Sequence, residues 1–180
     1  TADERAADLT RAWTDPTVGA VMAVRGGYGS MQVVPRLSPA IFAASPKLFI
    51  GYSDNTALLG WLTVQCGVTA IHGPMIDGCL ARGAAGYDER SLLALLGGGE
   101  GLALAPEGLT VLQPGEVVGP MFGGTLTQLV ASLGTPYAFM PPHGCVLFIE
   151  DVNERPYRLD RMLTQLAQAG VLSRAAALVF

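Results

Sequence analysis

The sequence predicts an α/β protein: a parallel-sheet domain over residues 1–112, then the start of a smaller second α/β domain over residues 113–180. Two observations carry that reading. Short apolar runs alternate with segments of helical spacing and are joined by glycine turns, the pattern of a parallel sheet with crossover helices. A glycine- and proline-punctuated stretch running to Pro114-Gly115 then separates two such alternating regions.

Residues 1–13 set Ala2, Ala6, Leu9 and Trp13 on one helical stripe, and Asp15-Pro16 breaks it. The apolar run Val18 to Val24 suits a strand buried on both faces. It opens into the turn Arg25-Gly26-Gly27-Tyr28-Gly29-Ser30, and Met31, Val34 and Leu37 then space a short helix. Leu48-Phe49-Ile50 reads as a second strand, entering Gly51-Tyr52-Ser53-Asp54. Leu58, Leu59 and Leu62 restore helical spacing up to about Gly67, and Val68 to Ile71 is a third strand running into His72-Gly73-Pro74. Asp88 is placed to cap a helix bearing Leu92, Leu93, Leu95 and Leu96, which Gly97-Gly98-Gly99 would end. Further on come a short strand near Val117, a helix from Thr125 to Leu133, a strand Cys145–Ile149 and a helix from Arg158 to Ala169. The run Ala175 to Phe180 reads as a buried strand. Both ends of the chain look like interior points of a longer protein.

Composition excludes several classes. Half of the 180 residues are hydrophobic and 14% are charged, which is a globular balance. A net charge of −4 gives no basic face for nucleic acid. No run reaches the ~18 apolar residues of a membrane span. Cys66, Cys79 and Cys145 lack the close pairing of zinc or thiol redox motifs and read as free core thiols.

Three places have the residue types for chemistry. Ser53 stands between a strand and a helix, at the kind of sharp turn where hydrolases expose a nucleophilic serine. The helix N-terminus that follows favours negative charge on a reacting oxygen. Asn55 stands where the common G-x-S-x-G elbow has its second glycine, and a simple helix cap by Ser53 or Asp54 is the competing reading. The Gly26-Gly27 turn lets backbone N–H groups approach a ligand, although a tight turn without function has the same look. Its spacing is not G-x-G-x-x-G, and Ser45 and Lys47 lie where a dinucleotide site needs an acid. Glu150-Asp151 ends an apolar strand, where α/β sites gather; one of the two acids is placed to orient a histidine, unless both are loop acids or a helix cap. His72 and His143 lack metal-ligand spacing and read as structural hydrogen-bonding groups, with the role of a base left open for either.

The motifs Arg25-Gly26-Gly27-Tyr28-Gly29, Gly51-Tyr52-Ser53-Asp54, Ile71-His72-Gly73-Pro74, Gly123-Gly124-Thr125-Leu126, Glu150-Asp151-Val152 and Pro156-Tyr157-Arg158-Leu159-Asp160-Arg161 span nearly the whole chain. In order and approximate spacing this set resembles the LD-carboxypeptidases, a family of serine peptidases that also contains the microcin C self-immunity proteins. The resemblance implies an N-terminal α/β domain holding the serine and a second domain holding the other triad members. It implies a metal-free, cofactor-free Ser-Glu-His triad, with Ser53 as nucleophile and Glu150 as the glutamate. Asp54 and a glycine of Gly26-Gly27 match the oxyanion region. The family's histidine lies in a Ser-Gly-His-Gly-like loop well beyond the glutamate, which places it past Phe180; neither His72 nor His143 matches that loop. Without it, the 180 residues alone are expected to be inactive. The implied substrate is a murein peptide losing its terminal D-Ala in cell-wall recycling, and the implied protein is a cytoplasmic homodimer. A microcin-immunity-type hydrolase of an acyl-sulfamoyl or related amide is the alternative within the family. A non-catalytic muropeptide- or nucleotide-binding protein is the alternative outside it.

Overall fold

A computed structural model describes residues 1–98 and 108–180. It contains two parallel three-stranded sheets, ordered β1-β2-β3 and β4-β5-β6 along the chain. The helix expected to stop at Gly97-Gly98-Gly99 ends with Gly97 as its C-cap, while Gly99 and the first part of the glycine- and proline-rich stretch fall outside the described residues; residues 108–120 are exposed and hold neither helix nor strand.

In the first sheet, β1 is Ala20–Met22, β2 is Leu48–Gly51 and β3 is Ala70–His72. Helix α1, Ala2–Thr14, begins in a capping box between Thr1 and Glu4 and buries Ala6 and Trp13 from the predicted stripe. Trp13, Phe42 and Trp61 pack as neighbouring rings with centroids 4.7 and 5.0 Å apart, and the Trp13 indole N–H donates to the Phe42 carbonyl at 3.1 Å. Phe42 lies on α3, Pro39–Ala44, a helix the sequence did not announce because Ser-Pro and Ser45-Pro46 bound so short a segment. Met31 and Val34 continue from α2, Ser30–Val33, into a single 3₁₀ turn, Val34–Arg36.

Helix α4, Thr56–Gln65, explains how the two sheets are joined. Every residue from Thr56 to Leu62 is buried, so it is apolar all round instead of striped. One side closes the first core with Leu58, Leu59 and Leu62; Val64 packs into the second, and Gly60 admits the Phe139 ring. Helix α5, Glu89–Leu96, is capped by Asp88, whose side chain accepts from the Ser91 N–H at 2.9 Å.

The second sheet consists of β4, Met121–Thr125, β5, Cys145–Glu150, and β6, Ala175–Val179. Its core lies between the sheet and two helices, α6, Leu126–Ser132, and α7, Pro156–Gln168, through Leu126, Leu129, Leu147, Ile149 and Leu166.

Four expectations are corrected. The strand expected near Val117 begins at Met121, and Val117 is exposed; Gly123 and Gly124 conceal the true strand from an apolar-run reading. β1 is shorter than Val18 to Val24 and half-exposed, because it lies at the edge of its described sheet. β6 likewise forms at an edge and leaves Leu178 and Val179 exposed, so the apolar run is a strand but not a buried one. Cys66 and Cys145 are buried free thiols, whereas Cys79 is only half-buried beside Tyr52.

Candidate active site

The parallel registers decide which residues meet. Gly51 pairs with His72 across β2 and β3, and Thr125 pairs with Glu150 across β4 and β5. The residues that carry candidate chemistry therefore sit at the C-terminal edges of both sheets, the usual place for an α/β site.

Ser53 follows β2 in a left-handed conformation, φ 60°, and begins the 3₁₀ turn Ser53–Asn55 that leads into α4. That conformation is costly for a residue with a side chain, on the order of 1–3 kcal/mol, and such strain concentrates at functional turns. Gly26 lies directly against it: a Cβ at Gly26 would stand 3.0 Å from Ser53 Cβ and 3.1 Å from its Oγ. Gly26 is thus glycine because the serine hydroxyl occupies the space, and Gly27 continues the turn at φ 112°.

Neither Ser53 nor Asp54 caps α4 through its side chain. The buried Asp54 carboxylate reaches back to the glycine turn, accepting from the Ser30 N–H at 2.9 Å and the Ser30 hydroxyl at 2.7 Å. Asn55 completes the connection, its side-chain amide donating to the carbonyls of Arg25 at 3.2 Å and Tyr52 at 3.3 Å. This accounts for asparagine at the place of an elbow glycine: its amide fastens the glycine turn beside the serine. Asp54→Ala leaves the Ser30 N–H and hydroxyl buried without their acceptor, at about 1–3 kcal/mol for each group. A fall in the thermal midpoint and a mobile Gly26-Gly27 turn by hydrogen exchange are the expected results.

Glu150 is held from the other sheet. The Thr125 hydroxyl donates to its Oε1 in a short hydrogen bond. Thr125 is itself tied to α4, its N–H donating to Thr56 Oγ1 at 3.1 Å and its hydroxyl accepting from Thr56 at 3.3 Å. Thr56 is three positions after Ser53, so a continuous set of hydrogen bonds runs from the serine's helix to Glu150. His72 Nε2 stands 3.8 Å from Glu150 Oε1, and the His72 ring is 5.9 Å from the Tyr52 ring, next to Ser53. Burial holds the His72 pKa below the ordinary histidine value, while the Glu150 carboxylate pulls in the opposite direction.

Asp151 does something different. Its carboxylate accepts from the Thr127 N–H at 2.9 Å and the Thr127 hydroxyl at 2.6 Å, in the first turn of α6. The helix-capping reading therefore fits Asp151. The His72 Nδ1 is buried with no partner among the described residues. His143 is exposed ahead of β5, at the opposite end of that strand from Glu150. Sequence reasoning singled out His72 but not its place beside Glu150, and it missed the supporting roles of Ser30, Thr56 and Thr125. The Ile71-His72-Gly73-Pro74 motif gave a signal for His72, and Gly123-Gly124-Thr125-Leu126 gave one for Thr125.

Residues 1–73 match the LD-carboxypeptidase N-terminal domain, and residues 118–180 match the LD-carboxypeptidase C-terminal domain. The chain belongs to the LD-carboxypeptidase family. It is 42% identical over 177 residues to a carboxypeptidase-family protein of Streptomyces coelicolor, an overlap of 94% of this chain and 54% of the relative. The murein tetrapeptide carboxypeptidase of Pseudomonas aeruginosa is 38% identical over 176 residues, covering 94% of this chain and 57% of that protein. The crystal structure of muramoyltetrapeptide carboxypeptidase from Oxalobacter formigenes superimposes with a TM-score of 0.83 at 35% identity, over 99% of this chain and 61% of that one. The microcin C7 self immunity protein MccF superimposes equally well, TM-score 0.83, but at 24% identity it shows a shared fold alone. The chain thus spans about half the length of the curated relatives it matches. No helix among the described residues is long and apolar enough to cross a membrane.

Proposed function

We propose that the protein carrying this chain is a serine peptidase that cleaves the bond between an L-centre and a terminal D-amino acid in murein peptides. Release of D-Ala from a muropeptide tetrapeptide during cell-wall recycling is the reaction. The observation that carries this reading is the strained Ser53 turn with Gly26 packed against its hydroxyl. A serine hydroxyl exposed this way, backed by a helix and beside a glycine turn, suits acyl transfer. The substrate class follows from the Pseudomonas and Oxalobacter relatives, a murein tetrapeptide and a muramoyltetrapeptide carboxypeptidase.

In this mechanism Ser53 Oγ attacks the carbonyl of the scissile bond and gives its proton to an imidazole. That imidazole belongs to the histidine the family carries beyond the glutamate. Glu150 accepts from the imidazole's other N–H, fixing the tautomer and stabilising the imidazolium. The N–H following Ser53, on Asp54, and the N–H groups of the Gly26-Gly27 turn receive the oxyanion. Collapse expels D-Ala, protonated by the imidazolium, and water then releases the peptide from Ser53. The chemistry needs no metal or cofactor. A cytoplasmic homodimer is the assembly and location proposed with it.

Incubating the full-length protein with a murein tetrapeptide ending in D-Ala, and with the same peptide ending in L-Ala, tests the reading. D-Ala release without L-Ala release supports it. Equal release, or none from either peptide, overturns it.

A further inference from the structure

His72 closes β3 and faces the second sheet. Its ring lies edge-on to Phe148, centroids 5.2 Å apart, with Tyr52 on another side at 5.9 Å. These contacts leave its Nε2 directed at Glu150 Oε1, 3.8 Å away. Nδ1, by contrast, is buried and has no partner among the described residues.

That asymmetry fixes the proton. A buried N–H without an acceptor is among the rarest features of folded proteins, whereas a bare acceptor nitrogen is tolerated better. The proton of the neutral ring therefore belongs on Nε2, where a carboxylate faces it. Protonating both nitrogens would strand an Nδ1–H in the interior, in keeping with the lowered pKa of this residue. The ionisable groups around the ring are Glu150 on β5 and Tyr52 after β2, with Cys79 Sγ 3.5 Å behind the Tyr52 hydroxyl.

We propose that His72, as the neutral Nε2–H tautomer, is a positioning residue: with the Thr125 hydroxyl it holds Oε1 of Glu150 and leaves Oε2 to orient the catalytic imidazole. At 3.8 Å the N–H···O approach is longer than a hydrogen bond. It acts as a directed N–H dipole toward Oε1, directly or through one water. Glu150 is thereby held from both sheets' edges, by β3 through His72 and by β4 through Thr125. The inference rests on the peptidase reading for its kinetic consequence, but the tautomer stands on the geometry alone.

Two measurements on the full-length protein test it. In the first, the ring nitrogens of His72 are observed by ¹⁵N NMR in the wild type, whatever its activity. Nδ1 is expected at the unprotonated shift and Nε2 at the proton-bearing one; Glu150→Gln should lower the His72 pKa, because the carboxylate that raised it is gone. In the second, His72→Gln, His72→Asn and His72→Phe are compared for D-Ala release. Glutamine carries its amide near the place of Nε2, and asparagine near that of Nδ1. His72→Phe and His72→Asn are expected to lower kcat by about tenfold or more, as losing an orienting partner of a catalytic group does, with KM within about twofold. His72→Gln should recover most of the loss. A proton on Nδ1 overturns the inference, as does a His72→Gln as slow as His72→Phe at equal melting temperature. A His72→Phe loss as complete as that of Ser53→Ala would make His72 the base itself and also overturn it. A wild type with the expected tautomer that releases no D-Ala fails the peptidase reading, not the tautomer.

Discussion

Ser53→Ala in the full-length protein is expected to lower kcat for D-Ala release by more than about a thousandfold, since members of a catalytic triad act as a unit and losing one removes the acyl-enzyme route. Its thermal midpoint should stay within a few degrees of the wild type. Alanine keeps the same Cβ, so the left-handed backbone at φ 60° is no more strained than before. Removing the hydroxyl also adds nothing to the space that Gly26 leaves open beside Ser53. Steady-state kinetics and a melting curve on one sample separate the two effects. Retention of more than about a tenth of the activity would point to another nucleophile.

Gly123→Ala is expected to destabilise the second sheet strongly. Gly123 has φ 140°, a conformation that side chains rarely adopt, and it pairs with Phe148 on β5. A Cβ there would stand 1.7 Å from the Phe148 carbonyl oxygen and 3.0 Å from its nitrogen, both backbone atoms with nowhere to move. The two strands must part to admit a methyl group, at a cost of several kcal/mol, a large share of the roughly 5–15 kcal/mol that holds a domain together. The same strand pair sets Thr125 opposite Glu150, so whatever folded fraction remains should also lose activity. Urea unfolding provides the measurement. Gly19→Ala is the matched control, because nothing lies within 4 Å of its added Cβ. A Gly123→Ala midpoint equal to that of the control would show that the strands have freedom the structure does not display.

Much of this architecture was legible because local signals and tertiary demands agree. Trp13, Ala6 and Leu9 are spaced for one helical face and are indeed the face that packs. Asp88 was readable as a cap, and Leu48 to Ile50 as a strand, from a few neighbouring residues each. What escaped were features created by distant chain segments. The motif around Thr125 was visible, but its role was not; its importance lies in Thr56 and Glu150, 69 and 25 positions away. β4 was mislocated for a related reason, since its two central glycines lack the side chains that announce a strand and owe their place to Phe148 and Thr56. At the candidate site, the turn at Ser53 was visible as strand, glycine and serine in sequence. The supports beneath it, Ser30 under Asp54 and the Asn55 amide on Arg25, depend on how two turns of the first sheet are folded against each other.

The proposed mechanism requires Ser53 to become covalently acylated during turnover. Mixing the full-length protein with a murein tetrapeptide ending in D-Ala, quenching in acid within the first turnovers and mapping the digest by mass spectrometry tests it directly. The expected result is a mass increase equal to the peptide acyl group without its D-Ala, confined to the fragment that contains Ser53 and absent from Ser53→Ala. An adduct on any other residue, or D-Ala release undiminished in Ser53→Ala, would contradict it.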